Sequence, residues 1–433
     1  MALLKMNRRA KNFLYGQYEQ IKKDPLIIIK KIFVVALYFP ASVLFLMILM
    51  LRPIVIIRLG ELISSRIGHF SANTELYLCE KRSNINTPLG LHVDFFYLQE
   101  TVCNRQLLEM WSREITIVSK YTSIILARVG HLINIFSDLI PSLKLHIIKP
   151  SLSDRDIHDL LGKSPIHLKF NQNEKEKGVL ALEEMGIPRG GKIILLYVRD
   201  SAYLESVDPK TDYSYHNYRD CDIDNFNLVA EKLAKAGYYV IRMGAHVQNP
   251  FKSSHSKVID YAYNGLRTEF LDIYLSAVCD FVLSTGNGGE APAVWNYRKP
   301  WVLVNLCPVS YFPTFMDNTI ILTKHHIDIE TEKELTFKEI LSRNAGICLQ
   351  SKCYTKKSIK LVENTPSEIC EATFQMVEKL KGLQKNKDND RVLQDIFWDI
   401  FPKNVKLNGV NIHGKIRATY GASFLRNNSW WLQ

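Results

Sequence analysis

The sequence predicts an α/β protein whose C-terminal part is a doubly wound parallel sheet, preceded by a basic and then strongly apolar N-terminal segment. Two observations predict the sheet. Short apolar runs at 192–198 (KIILLYV), 238–244 (YYVIRMG) and 281–283 (FVL) each end in polar or glycine-bearing residues, and helical stretches separate them in the rhythm of βα units. A third observation sets the N-terminus apart: residues 32–51, IFVVALYFPASVLFLMILML, run twenty positions without a charge.

Taken in order, residues 1–31 carry Lys5, Arg8, Arg9, Lys11, Lys22, Lys23, Lys30 and Lys31 against only Glu19 and Asp24. The apolar run that follows is long enough to cross a bilayer as a helix, with the basic flank on the cytoplasmic side. Pro40 interrupts it, and no small-residue cleavage site follows. A bent or interfacial segment lying on one leaflet, with Arg52 and Arg58 just beyond it, is favoured over a single span. The expected boundaries are 1–51 for this membrane-association segment, 52–188 and 189–385 for two α/β domains, and 386–433 for a tail that packs back or meets the membrane.

Strands are expected from Pro53 and over 91–100, and helices over 104–111, 121–136 and 172–186. Ile187 to Gly191 reads as the hinge between the domains. The second domain then brings a helix at 225–236, a strand near 257–261 and a helix near 268–278, with further helices at 336–343 and 366–382.

A net charge of +11 points to anionic partners, and excludes nothing by fold. No zinc-knuckle spacing or aromatic ribonucleoprotein pattern occurs, so anionic membrane and anionic substrate rank above nucleic acid. The eight cysteines are scattered without CxxC spacing, which reads as buried reduced thiols and a cytosol-facing chain.

Two strands end in arginines, Arg199 and Arg242, and a third ends in Ser284, Thr285, Gly286, Asn287, Gly288 and Gly289, with Glu290 opening a helix. With Arg219 from the loop at 215–222, these residues form a predicted seat for a diphosphate: guanidinium forks match paired oxygens, and a glycine-rich turn lets backbone N–H groups approach an anion. Asp200 completes the donor-binding set. Because arginines can neutralise a leaving diphosphate, no metal and no cofactor is predicted; Asp220 and Asp222 have DxD spacing but sit in a loop. Near the first strand, His69 is the candidate base and Glu61 the second candidate, with Arg66 and Asn73 as acceptor-binding candidates.

The stretches 57–78, 197–204 (YVRDSAYL), 215–226 (YHNYRDCDIDNF), 237–244 and 284–289 (STGNGG) together resemble a family of bacterial glycosyltransferases encoded with surface-polysaccharide genes. The resemblance implies a GT-B-like architecture, two Rossmann-like domains with a central cleft, the C-terminal one holding a nucleotide-sugar. It implies transfer of a hexosyl or deoxyhexosyl group to a lipid-linked or polysaccharide acceptor at the cytoplasmic face of a bacterial inner membrane, in lipopolysaccharide-type synthesis. The residues leave two alternatives: another activated-donor enzyme such as a sugar epimerase, or a non-catalytic membrane-tethered glycan-binding protein. Inversion would need a base such as His69, and retention would not.

Overall fold

The computed structural model describes residues 32–433 apart from positions 33, 100, 208, 384–387 and 408, so the basic run at 1–31 lies outside the described residues. Numbering the strands and the helices of eight or more residues in chain order, the first half holds α1 (Tyr38–Leu51), β1 (Ile56–Leu62), α2 (Ile67–Arg82), β2 (His92–Leu98), α3 (Arg105–Ser112), α4 (Lys120–Phe136) and β3 (Ile147–Ile148). Next come α5 (Gln172–Glu184), β4 (Lys192–Tyr197), α6 (Asn227–Lys235), β5 (Tyr238–Arg242), β6 (Val258–Ile259), α7 (Glu269–Val278), β7 (Phe281–Ser284), β8 (Trp301–Leu306) and β9 (Thr319–Thr323). The remainder holds β10 (His325–Asp328), β11 (Ile359–Val362), α8 (Pro366–Leu380), α9 (Asp388–Ile400), β12 (Lys406–Leu407), β13 (Val410–Asn411) and β14 (Thr419–Tyr420). Contacts divide the described residues into two compact units: those within 32–62, 88–100 and 115–148, and those within 63–87, 101–114 and 149–433.

The smaller unit is built on a three-stranded parallel sheet in the order β2-β1-β3. Gly60 in β1 is required by packing, because a Cβ there would lie 2.5 Å from the Phe96 ring. Within the sheet Arg58 and Asp94 form a bidentate ion pair, 2.6 and 2.9 Å, with both side chains almost wholly buried. Arg58 is therefore spent inside the protein rather than flanking a membrane segment, which corrects the expectation from sequence. Helix α1 buries Ala41, Phe45 and Ile48 against Leu126, Val129 and Ile133 of α4. Its other faces stay exposed, with Phe39 at 78% and Met50 at 79%. The helical stretch Val34–Leu51 is long and apolar enough to cross a membrane.

The larger unit is organised by a seven-stranded sheet in the order β14-β9-β8-β7-β4-β5-β6, every pair of neighbours being parallel. The continuous apolar run at 193–197 buries on both faces, as a central parallel strand must. Helix starts follow capping chemistry: Asn104 caps α3, Thr268 caps α7, and full capping boxes open α5 (Asn171 with Glu174) and α8 (Thr365 with Glu368). Residues 187–191 form a short turn between α5 and β4, inside this unit. The tail packs back on the unit: β14 extends the sheet beside β9, and Phe397, Tyr420 and Trp431 are at most 2% exposed among stacked rings. Cys348 and Cys353 form a disulfide, so the expectation of uniformly reduced thiols holds only for the other six cysteines, four of them buried.

Candidate functional site

In the seven-stranded sheet β4 and β7 are neighbours, yet the chain leaves β4 for β5 and β6 on one side before returning to β7 on the other. The connections at their carboxyl ends therefore diverge, opening the crevice where doubly wound folds hold ligands. Thr285 ties the two strand ends together: its N–H donates to the Tyr197 carbonyl at 3.0 Å, and its Oγ1 accepts from the Arg199 N–H at 2.9 Å. A cleft of about 400 Å³ lies at this point.

Four arginines line that cleft, Arg66, Arg199, Arg219 and Arg267. Arg199 uses Nε on Asp220 at 3.2 Å, and among the described residues neither of its Nη atoms has a hydrogen-bond partner. Arg219 donates one Nη to the Gly286 carbonyl, anchoring the loop to the glycine turn. Arg267 is held by Asp272 at 2.7 Å. The Arg199 guanidinium is held below its ordinary range, first by burial and then by Arg219. Neighbouring His216 is likewise lowered by burial and then by Arg199, Arg219 and Arg66. An anion seated between these groups would relieve their mutual repulsion.

The glycine turn completes the wall. Asn287, Gly288 and Gly289 line the cleft, with Asn287 Oδ1 accepting from the Gly289 N–H at 2.8 Å. Gly286 adopts φ +74°, a left-handed conformation that favours glycine. Beyond the turn, residues 292–296 form only a short π-helical turn, so little helix dipole reaches the turn from there. The long helix that does point at the cleft is α2. Its N-cap, Arg66, makes no side-chain cap, and a Cβ on Gly68 would lie 3.0 Å from the Gly288 Cα. The first turn of this 16-residue helix thus abuts the glycine turn, with its positive end toward the cleft. His69 sits in that first turn and lines the cleft, its buried Nδ1 without a partner.

The structure places the remaining predicted residues elsewhere. Arg242 is 1% exposed and donates to the Asn249 carbonyl at 2.9 Å and to Asp260 at 3.3 Å, with Asp200 at 3.9 Å. It is a buried organiser of the β5 end and does not line the cleft, which corrects the expectation from sequence. Asp200 lines the cleft but spends its oxygens on the Ala202 and Gln248 N–H groups. Ser284 is fully buried and accepts from Trp301 Nε1 at 2.9 Å. Glu61, on β1 of the smaller unit, is exposed and accepts from Gln99 at 3.0 Å. Asn73 lies half-buried on α2 near Ser153 and outside the cleft lining. Sequence reasoning gave no role to Arg267, Tyr203, His246 and Asp272, which line the cleft from the turn before α7, the short helix Ala202–Val207, the loop after β5 and α7 itself.

Glu290 is 1% exposed. Burial pushes its carboxyl up to about 8, against the pull of its own and the Asn287 N–H groups and of Arg219. The folded state thus holds this proton more tightly than the unfolded chain, so ligand-free stability falls as pH rises from about 4.5 through about 8. Glu290→Gln is expected to remove that slope, gaining up to about 5 kcal/mol relative to wild type above pH 8. Urea unfolding at pH 6 and pH 9 checks it; parallel curves for the two proteins would contradict it.

Among the described residues, one cluster has metal-ligand types within reach of one another, Glu75, Cys79 and His167. The Arg298 guanidinium lies 2.6 Å from Glu75, so a cation there would meet a like charge.

No protein-family model and no curated protein sequence matches the chain. Similar solved structures include the glycosyl transferase family 9 protein of Veillonella parvula DSM 2008, 9% identical over 75% of this chain and 97% of that one, with a TM-score of 0.42. E. coli ADP-heptose LPS heptosyltransferase II is 11% identical over 75% and 99%, at 0.36. A UDP-GlcNAc 2-epimerase from Neisseria meningitidis is 14% identical over 76% and 99%, at 0.24. At these scores the likeness carries no argument about reaction or substrate, which rest on the cleft itself.

Proposed function

We propose that this chain is a GT-B-like glycosyltransferase that moves a sugar from a nucleotide-sugar to a lipid-linked or polysaccharide acceptor. The observation that carries this reading is the convergence of Arg199, Arg219, the glycine turn and the α2 N-terminus at one topological switch point. In the reaction, the bond from the anomeric carbon to the diphosphate oxygen breaks as the acceptor oxygen bonds to that carbon, and the electron pair leaves with the nucleoside diphosphate. Arg199 and Arg219 stabilise the growing negative charge without a metal ion. His69, whose Nδ1 has no partner among the described residues, is the proposed base for the acceptor proton in an inverting reaction. Product analysis separates the reading from an epimerase: transfer releases the nucleoside diphosphate, whereas epimerisation returns an intact nucleotide-sugar.

The proposed setting is the cytoplasmic face of a bacterial inner membrane, with attachment by lying on the leaflet. Helix α1 supports this, because one face is built into the smaller unit's core while Phe39, Leu46, Met47 and Met50 remain exposed. The exposed apolar surface continues at the α4 end with Ile135, Leu139 and Ile140. Flotation with anionic liposomes should recover the whole chain and far less of a variant lacking residues 1–37, which removes the basic run and leaves α1 and its core contacts in place. Equal recovery of the two would contradict a role for the basic flank.

A further inference from the structure

A second, smaller pocket of about 220 Å³ adjoins the cleft and shares Asp154, Arg219, Asn287 and Trp295 with it. Two of its lining side chains are each 1% exposed and carry a buried polar atom with no partner among the described residues: Glu290 through Oε2 and Asn305 through Nδ2. Folded proteins leave few such atoms unpaired, since each costs about 1–3 kcal/mol. Their convergence on one cavity therefore points to a ligand that supplies the missing partners.

We infer that this smaller pocket receives the sugar ring of the activated donor, with Glu290 and Asn305 reading its hydroxyls. The inference rests on the nucleotide-sugar reading above and deepens it. Size argues first: a space of about 220 Å³ is roughly half that of the cleft, so the cleft is the better container for the bulkier nucleoside diphosphate. Position argues second, because Arg219 and Asn287 border both spaces. A diphosphate held there reaches the cleft with one end and the pocket with the other. Wall chemistry argues third. The lining mixes the aromatic side chains Trp295, Phe312 and Tyr311 with the hydrogen-bonding side chains Glu290, Asn305, Thr285 and Asp154, the combination that suits a pyranose with apolar C–H faces and a hydroxyl rim.

The test compares, on the full chain, the affinities of UDP with UDP-glucose, GDP with GDP-mannose, and ADP with ADP-glucose. For whichever pair binds, Glu290→Leu removes both hydrogen-bonding functions at similar size. It is expected to weaken the nucleotide-sugar at least tenfold while the nucleoside diphosphate stays within about threefold. Because Glu290 is buried, a second variant guards against misfolding: Leu349→Trp at the pocket lip, where Leu349 is 43% exposed, fills the space and is expected to give the same selective loss. Equal loss of both ligands would place the base rather than the sugar in the pocket, and no loss of either would make the pocket structural; both overturn the inference while leaving the donor reading in place. Wild-type protein that binds no member of any pair would overturn the donor reading itself, and this inference with it.

Discussion

An Arg242→Ala variant should lose about 3–5 kcal/mol of folding stability, the range for breaking a buried ion pair. Arg242 has 1% of its side chain exposed, and its guanidinium serves the Asn249 carbonyl, Asp260 and Asp200 at once. Its loss leaves Asp260, whose side chain is 14% exposed and also accepts from the Phe251 N–H at 2.6 Å, without its cation. Urea unfolding reads the loss. Any variant molecules that remain folded should bind a nucleoside diphosphate about as well as wild type. Unchanged stability with lost binding would mean that the guanidinium reaches ligand after all.

Arg199→Ala and Arg219→Ala should behave in the opposite way. Each removes a charge-assisted contact to phosphate, about 1.5–3 kcal/mol of binding, or roughly 10- to 150-fold in affinity. Some folding stability should also be lost, because Arg199 pairs with Asp220 and Arg219 holds the Gly286 carbonyl, so binding is compared on the folded fraction of each variant. The pair should also couple: the second substitution should cost less or more than the first alone, since both face one ligand group. Titration of the single and double variants with the same nucleoside diphosphate checks this. Strict additivity with small effects would remove these arginines from the site.

Much of this architecture was legible in the chain because parallel strands buried on both faces leave an unbroken apolar signature. KIILLYV and FVLS carry it, and the caps at Asn171, Thr268 and Thr365 mark where helices must begin. What sequence could not show was depth. Arg199 and Arg242 both follow apolar runs, yet Arg242 is the last residue of its strand and turns inward onto Asp260, whereas Arg199 lies two residues beyond β4 and reaches the cleft. The partner of α2 was also out of reach. Residues 57–78 read as one acceptor-side stretch, but Gly68 and Gly288 approach closely because neither has a side chain to hold them apart. Short edge strands such as β14 escaped because two residues carry no periodicity. The Arg267 and His246 positions lacked any motif, being assembled only by the fold.

The most direct test is binding of the wild-type chain and of the Arg199→Ala, Arg219→Ala double variant to UDP, GDP and ADP and their sugar conjugates, followed by thermal shift. A diphosphate site at the β4–β7 switch point predicts a clear upward shift of wild type with one base, abolished in the folded double variant. No shift of folded wild-type protein with any of them, or a shift that survives loss of both arginines, would contradict it.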